Sequence, residues 1–337
     1  MRLVQWILAQ VRKWVSQRRP LRLSLGGGLG KGARSRLISL FAIALSLALL
    51  FQACGTGSEP YNASPSEDTA TSTSTQPDSL SKLSEEHDGD KPIPTPVAMA
   101  EPSVPVTGED VTYATIAGQP VTGYLAQPEG TAADAALPAI ITIHEWWGLN
   151  DNIKATTRRL AGEGYTVLAV DLYSGEVAAA PDQAKDLMRS VMDDPGPAQE
   201  NLMQAAQFLT DEYSAPKLGS IGWCFGGNWS LRTGLLLENL DAMVIYYGQL
   251  ILAPEALDGL DVPILGFFGE DDSSIAVEDV ENFESMLNDL GKTADINLYP
   301  GVGHAFANPS GQNYDAEAAE AAWEKTTAFF ETYLQAS

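Results

Sequence analysis

From residue 108 to the end of the chain, apolar and polar positions switch between two rhythms. "DVTYATI" and "PVTGYLAQP" alternate with a period of two and predict an opening β-hairpin. "LPAIITIHE" is an unbroken apolar run, the pattern of a strand covered on both faces. "NDNIKATTRRLAGEG" has helical spacing, with Asn150 or Asp151 as N-cap and Gly164 as stop. Further strands are predicted at "YTVLAVDLY", "KLGSIGW", "LDAMVIYYG", "DVPILGFFGE" and "ADINLYPG". Helices are predicted at "APDQAKDLMRSVMDD", "PAQENLMQAAQFLTDEY", "GGNWSLRTGLLLEN", "VEDVENFESMLNDLG" and "DAEAAEAAWEKTTAFFETYLQ". Regular alternation of strand and helix predicts an α/β fold, a mostly parallel central sheet with helices on both faces. There is no internal repeat.

Upstream the pattern differs, and three regions are expected: 1–54, 55–107 and a domain over 108–337. Residues 37–51, "LISLFAIALSLALLF", are apolar and uncharged, with Arg34 and Arg36 before them and Cys54 just after. That is the layout of a secretory signal, and the run is short for a bilayer span of about 20 residues. Ala53 and Gly55 around Cys54 resemble a bacterial lipoprotein box, which implies lipidation of Cys54. An uncleaved anchor and a cut without lipid are the alternatives, and all three leave the domain outside the cytoplasm. Residues 56–105 are rich in Ser, Thr, Pro, Asp and Glu, without apolar period, and predict a disordered tether. His87, in "EEHDGD", reads as part of a solvated charge run.

Charge narrows the function. The formal net charge is −24, but residues 1–54 hold nine of the twenty Lys and Arg and no acid. Beyond them eleven basic residues face forty-four acidic ones, a net of −33. Such a surface repels nucleic acid and anionic lipid. The expected partner is therefore a small molecule, with no nucleic acid, and membrane contact only through the N-terminal segment; the protein is expected to be monomeric.

Three loops after apolar runs carry chemistry, and in such sheets reactive groups gather at the carboxyl ends of the strands. Gly222-Trp223-Cys224-Phe225-Gly226-Gly227 follows a strand and opens a helix, the setting of a nucleophile elbow. The helix N-terminus would lower the thiol pKa, and the Phe225 amide would face a developing oxyanion. A buried structural cysteine in a tight turn is the plain alternative. "GEDDSSI" offers an acid to orient a histidine; Asp272 is favoured over Asp271 because it stands three residues before the apolar Ile275. "PGVGHAF" carries His304 in a glycine-flanked loop. The order Cys224, Asp272, His304 is the nucleophile–acid–base order of α/β-hydrolases. "IHEWWGLND" stands where those enzymes place the second oxyanion donor, here the Trp146 amide. Glu145 beside it would accept or restrain the thiol proton, or is a loop surface charge.

Taken together, "HEWWGLN", "VDLYSG", "GWCFGG", "YYG", "GEDDSSI" and "GHAF" resemble the dienelactone hydrolase family over about residues 108–335. The resemblance implies an α/β-hydrolase fold and a Cys–Asp–His triad, carried over as Cys224, Asp272 and His304, that opens an enol-lactone or similar activated ester. It also implies that Glu145 contacts the resting thiol. No cofactor or metal is implied. Asn308 stands where lactone-opening members carry an arginine for the substrate carboxylate, which weighs against an anionic dienelactone. Two other readings are a general carboxylesterase or thioesterase, and a catalytically silent extracytoplasmic binding module. A redox sensor would need a resolving cysteine near Cys224, and the sequence provides none.

Overall fold

The computed structural model describes residues 82–87, 89–90, 92–132 and 134–335. The segment expected to be a signal and lipoprotein box, with Cys54, and the expected linker up to residue 81 lie outside the described residues. No helix among the described residues is long and apolar enough to cross a membrane.

Eight strands form one sheet in the order β1-β2-β4-β3-β5-β6-β7-β8. They are β1 (Val106–Ile116), β2 (Gln119–Pro128), β3 (Ala139–Ile143), β4 (Thr166–Val170), β5 (Leu218–Trp223), β6 (Ala242–Tyr246), β7 (Ile264–Gly269) and β8 (Ala294–Tyr299). The first two make the antiparallel hairpin, β2 meets β4 antiparallel, and every other pairing is parallel. Every residue of β3, β4, β5, β6 and β7 is buried, as unbroken apolar runs require. Edge strand β8 is only partly covered.

The helices are α1 (Asp151–Gly162), α2 (Pro181–Asp193), α3 (Gly196–Tyr213), α4 (Phe225–Leu236), the short α5 (Pro254–Leu257), α6 (Val277–Asp289) and α7 (Ala316–Phe330), which ends in a π turn at Glu331–Gln335. Asn150 caps α1, its side chain accepting from the Ile153 amide, which decides between the two cap candidates. Gly164, at φ +99°, takes the left-handed turn that leads into β4. Layering follows from the strand period. A methyl group on Gly219 would press on Phe330 and Leu334, whereas Ser220 next to it bonds Ser230 of α4 at 2.8 Å. The C-terminal segment from the end of α7 onward and helix α4 therefore cover opposite faces of the sheet.

Strand order reverses about β3: β4 lies on one side and β5 on the other, with Ile143 paired in register with Gly222. A crevice opens at such a switch point, outside the carboxyl ends of the strands. The loops after β3 and β5 both empty into it.

The described part of the segment expected as a free tether is docked on the domain. Residues 82–86 form a helical turn, Leu83 and His87 are buried, and an irregular stretch leads to β1. Ser103 donates through Oγ to the Gly162 carbonyl, and Pro102 packs where Gly162 lacks a side chain. "PIPTPV" has little backbone freedom to lose, so few anchoring contacts suffice to order it.

Candidate active site

The turn after β5 is built from main chain packed on main chain. Cys224 has φ 54° and ψ −116°, a conformation that costs about 1–3 kcal/mol for a residue with a side chain. Its amide donates to the Tyr246 carbonyl at 3.0 Å, which helps hold it there. A Cβ on Gly222 would sit 2.0 Å from the Gly226 oxygen, and one on Gly226 would sit 2.2 Å from the Ile143 oxygen. Both positions are closed to any side chain, which is why the sequence reads Gly-x-Cys-x-Gly. α4 starts at Phe225, so the thiol lies at a helix N-terminus.

The structure brings the other sequence candidates to this thiol. His304, in the loop after β8, meets the Asp272 Oδ2 through Nδ1 at 2.8 Å, and both side chains are buried. Asp272 is fixed in turn, because Oδ1 accepts from the amides of Ser274 and Ile275 at 2.8 and 3.0 Å. Neighbouring Asp271 is exposed. Glu145 is buried; its Oε2 accepts from Asn308 Nδ2 at 2.8 Å, and its Oε1 has no partner. The amides of Trp146 and Phe225 have no described acceptor inside the protein. His144 works behind the site: Nε2 accepts from the Leu172 amide at 3.1 Å, and Nδ1 donates to the Glu145 carbonyl at 2.6 Å. That pair of bonds ties the Glu145 loop to the end of β4.

The docked segment adds a group that the charge run concealed. His87 is fully buried instead of solvated. Its ring stacks on Trp146 at 4.6 Å and meets His304 edge-on at 5.4 Å. Its Nδ1 meets Asp90 Oδ2 at 2.7 Å. Glu86 braces the segment, accepting from the Ser273 amide at 2.8 Å and from Asn313 at 3.0 Å. Asn313 also donates to the His304 carbonyl. One ligand atom each from His87, Cys224 and His304 lie within 4.8 Å of one another. The only sequence signal for His87 was an acid three residues on, followed by a proline-rich stretch that limits where it can go.

Polar atoms without a hydrogen bond of full geometry crowd here: Nε2 of His87 and His304, Oε1 of Glu145, Nε1 of Trp146, and the hydroxyls of Tyr173 and Tyr247. Such atoms are costly elsewhere and mark a place where a ligand completes the bonding. Electrostatics follow from burial and close charges. Burial pushes the Cys224 thiol up, but the His304 charge, then its hydrogen bond and those of His87, outweigh it and bring the thiol to about 6. Neither Nε2 reaches the sulfur with full hydrogen-bond geometry, so charge is the larger influence. Burial lowers His304, and Asp272 and Cys224 reverse that, leaving it well above its ordinary value. Burial also lowers His87, and Asp90 with Cys224 more than offsets it. Burial, then the Cys224 charge, raises Glu145 to about 8.

An eight-stranded, mostly parallel sheet with helices and a strained residue between β5 and α4 defines an α/β-hydrolase. More narrowly, the chain belongs to the dienelactone hydrolase family, whose model matches residues 121–334. It is therefore a hydrolase of that type. It is 33% identical over 225 residues to "Protein usf" of Aquifex pyrophilus, covering 64% of this chain and 95% of that one. It is 32% identical to a "Putative carboxymethylenebutenolidase" of Aquifex aeolicus over 226 residues, 65% of this chain and 96% of that one. Among solved structures, a "Putative Dienelactone Hydrolase" from Klebsiella pneumoniae superposes with a TM-score of 0.61 at 26% identity, covering 68% of this chain and all of that one.

Proposed function

We propose that the chain hydrolyses a neutral carboxylic ester or lactone through Cys224, with His304 as acid and base, Asp272 holding His304, and Glu145 restraining the resting thiol. The observation that carries this reading is His304, bonded to Asp272 through Nδ1 and left with its Nε2 to act on the nearby sulfur at the elbow. The Cys224 thiolate attacks the carbonyl carbon, and the charge moves to oxygen, facing the amides of Trp146 and Phe225. The C–O bond breaks, and the departing alkoxide or enolate takes the Nε2 proton of His304. A thioester remains. Neutral His304 then removes a proton from water, the hydroxide adds to the thioester, and the thiolate leaves with the acid released. Asp272 keeps the imidazole in the tautomer that presents Nε2 to the sulfur. A protonated Glu145 poses no charge against the thiolate; an ionised one would raise the thiol pKa and slow the first step.

Asn308 supports a neutral substrate. It offers no charge to a carboxylate, and its amide is committed to Glu145. The net acidic surface adds repulsion. The test is a panel of short aryl esters, neutral lactones and an anionic dienelactone, given to wild type and Cys224→Ala. Turnover of the neutral compounds is expected, lost in the variant with the thermal transition preserved. Turnover that survives Cys224→Ala would remove the nucleophile from this reading. The signal-like segment is proposed to hold the enzyme to a membrane through Cys54, and Cys54→Ala should then release it to the soluble fraction.

A further inference from the structure

We propose that His87, Cys224 and His304 together form a binding site for a divalent cation of the zinc class, and that its occupancy silences the Cys224 nucleophile. The second clause rests on the function proposed above; the first does not. Three borderline-soft ligands, one sulfur and two imidazole nitrogens, are what zinc selects, with a fourth position left for water. All three side chains are buried, and their ligand atoms lie within 4.8 Å of one another. Tetrahedral bonds of about 2.0–2.1 Å to nitrogen and 2.3 Å to sulfur put neighbouring ligand atoms about 3.3–3.6 Å apart. Closing onto an ion therefore requires shifts on the order of 1 Å, within reach of the docked segment that carries His87.

The outer shell supports the same reading. Metal-bound histidines usually give their other ring N–H to a carboxylate, which fixes the tautomer and aims the free nitrogen. Both histidines have that arrangement, His87 with Asp90 at 2.7 Å and His304 with Asp272 at 2.8 Å. Neither Nε2 has a hydrogen bond of full geometry, and both interact with the Cys224 sulfur. A catalytic triad needs one such dyad; the second, His87 with Asp90, lies outside the residues matched by the family model. On binding, sulfur coordinates as thiolate and each imidazole as its neutral form, keeping its Nδ1 proton. Any proton on Sγ or Nε2 passes to solvent. The sulfur lone pair and the His304 Nε2 are then both engaged, so neither attack nor proton transfer can begin.

The test uses the full chain, reduced, treated with chelator and desalted, with Co²⁺ and Zn²⁺ as probes. Co²⁺ should add at one equivalent per chain, with thiolate-to-cobalt charge-transfer absorption and the strong d–d bands of a four-coordinate site; Zn²⁺ should displace it. His87→Ala should weaken binding at least tenfold. Asp90→Asn, which keeps the ligand and its packing, should weaken it by roughly 10–100-fold. Absence of the thiolate band, or equal affinity in wild type and both variants, would overturn the site. Zn²⁺ should abolish ester turnover of the metal-free enzyme, and chelator should restore it; turnover by the zinc-loaded enzyme would overturn the silencing. The cobalt readout needs no substrate. Spectra without any ester turnover would sink the hydrolytic reading and leave the site, and turnover without spectra would do the reverse.

Discussion

His304→Gln removes the charge that most lowers the Cys224 thiol and leaves the burial that raises it. An opposite charge in contact shifts a pKa by about 1–3 units, so the thiol should move from about 6 to roughly 8. At pH 7 the thiolate fraction would fall about tenfold. A more basic thiolate is also a better nucleophile: with a Brønsted slope of about 0.4–0.5, two units make each thiolate roughly eight times more reactive. The two effects nearly cancel at pH 7, so a single rate there is uninformative. The assay is therefore a full pH profile of iodoacetamide alkylation on chelator-treated protein, followed by mass spectrometry at Cys224. Wild type should reach its plateau with an inflection near 6. The variant should inflect about two units higher and climb to a plateau several times above wild type. An inflection in His304→Gln that stays within about half a unit of wild type would refute the claim that His304 sets the thiol.

Other outcomes follow from the same geometry. Glu145 has its folded pKa raised to about 8, so its contribution to stability is complete below its ordinary pKa of 4.5 and is lost as pH rises through about 8. The slope approaches about 1.4 kcal/mol per pH unit in that window, and Glu145→Gln should abolish it. Calorimetric melts at pH 5 and pH 8 should show the variant gaining on wild type at the higher pH; a pH-independent difference would remove the buried neutral carboxyl. Asp272→Asn should lower kcat by about 10²–10⁴-fold with the fold retained, because the imidazole then loses its tautomer control. Gly226→Ala drives a methyl into the Ile143 carbonyl and should give a protein with a lowered Tm and no turnover, read by differential scanning fluorimetry and the ester panel.

Much of the fold was legible because its signals are local. Apolar runs such as "AIITI" and "TVLAV" announce strands covered on both faces, and Asn150, Pro181 and Gly164 punctuate the helices between them. The elbow was legible because steric exclusion at Gly222 and Gly226 leaves a fixed imprint in the sequence. Partnerships across the sheet left no such imprint. Asn308 reads as a departure from an arginine, and only the structure shows that its amide holds Glu145. His87 was hidden further, since a histidine among acids resembles any solvated run. Its burial comes from stacking on Trp146, a contact 59 positions away that no periodicity encodes.

Where Gly226 rests on the carbonyl of Ile143, backbone touches backbone across β3 and β5, so the gap between the Trp146 and Phe225 amides owes little to side-chain identity. If that gap receives the oxyanion as proposed, divergence in substrate can then proceed by exchanging the aromatic walls around it, Trp147, Tyr173 and Tyr247, while the gap keeps its dimensions. Selection for a new ester should accordingly collect mutations in those walls and leave both glycines untouched.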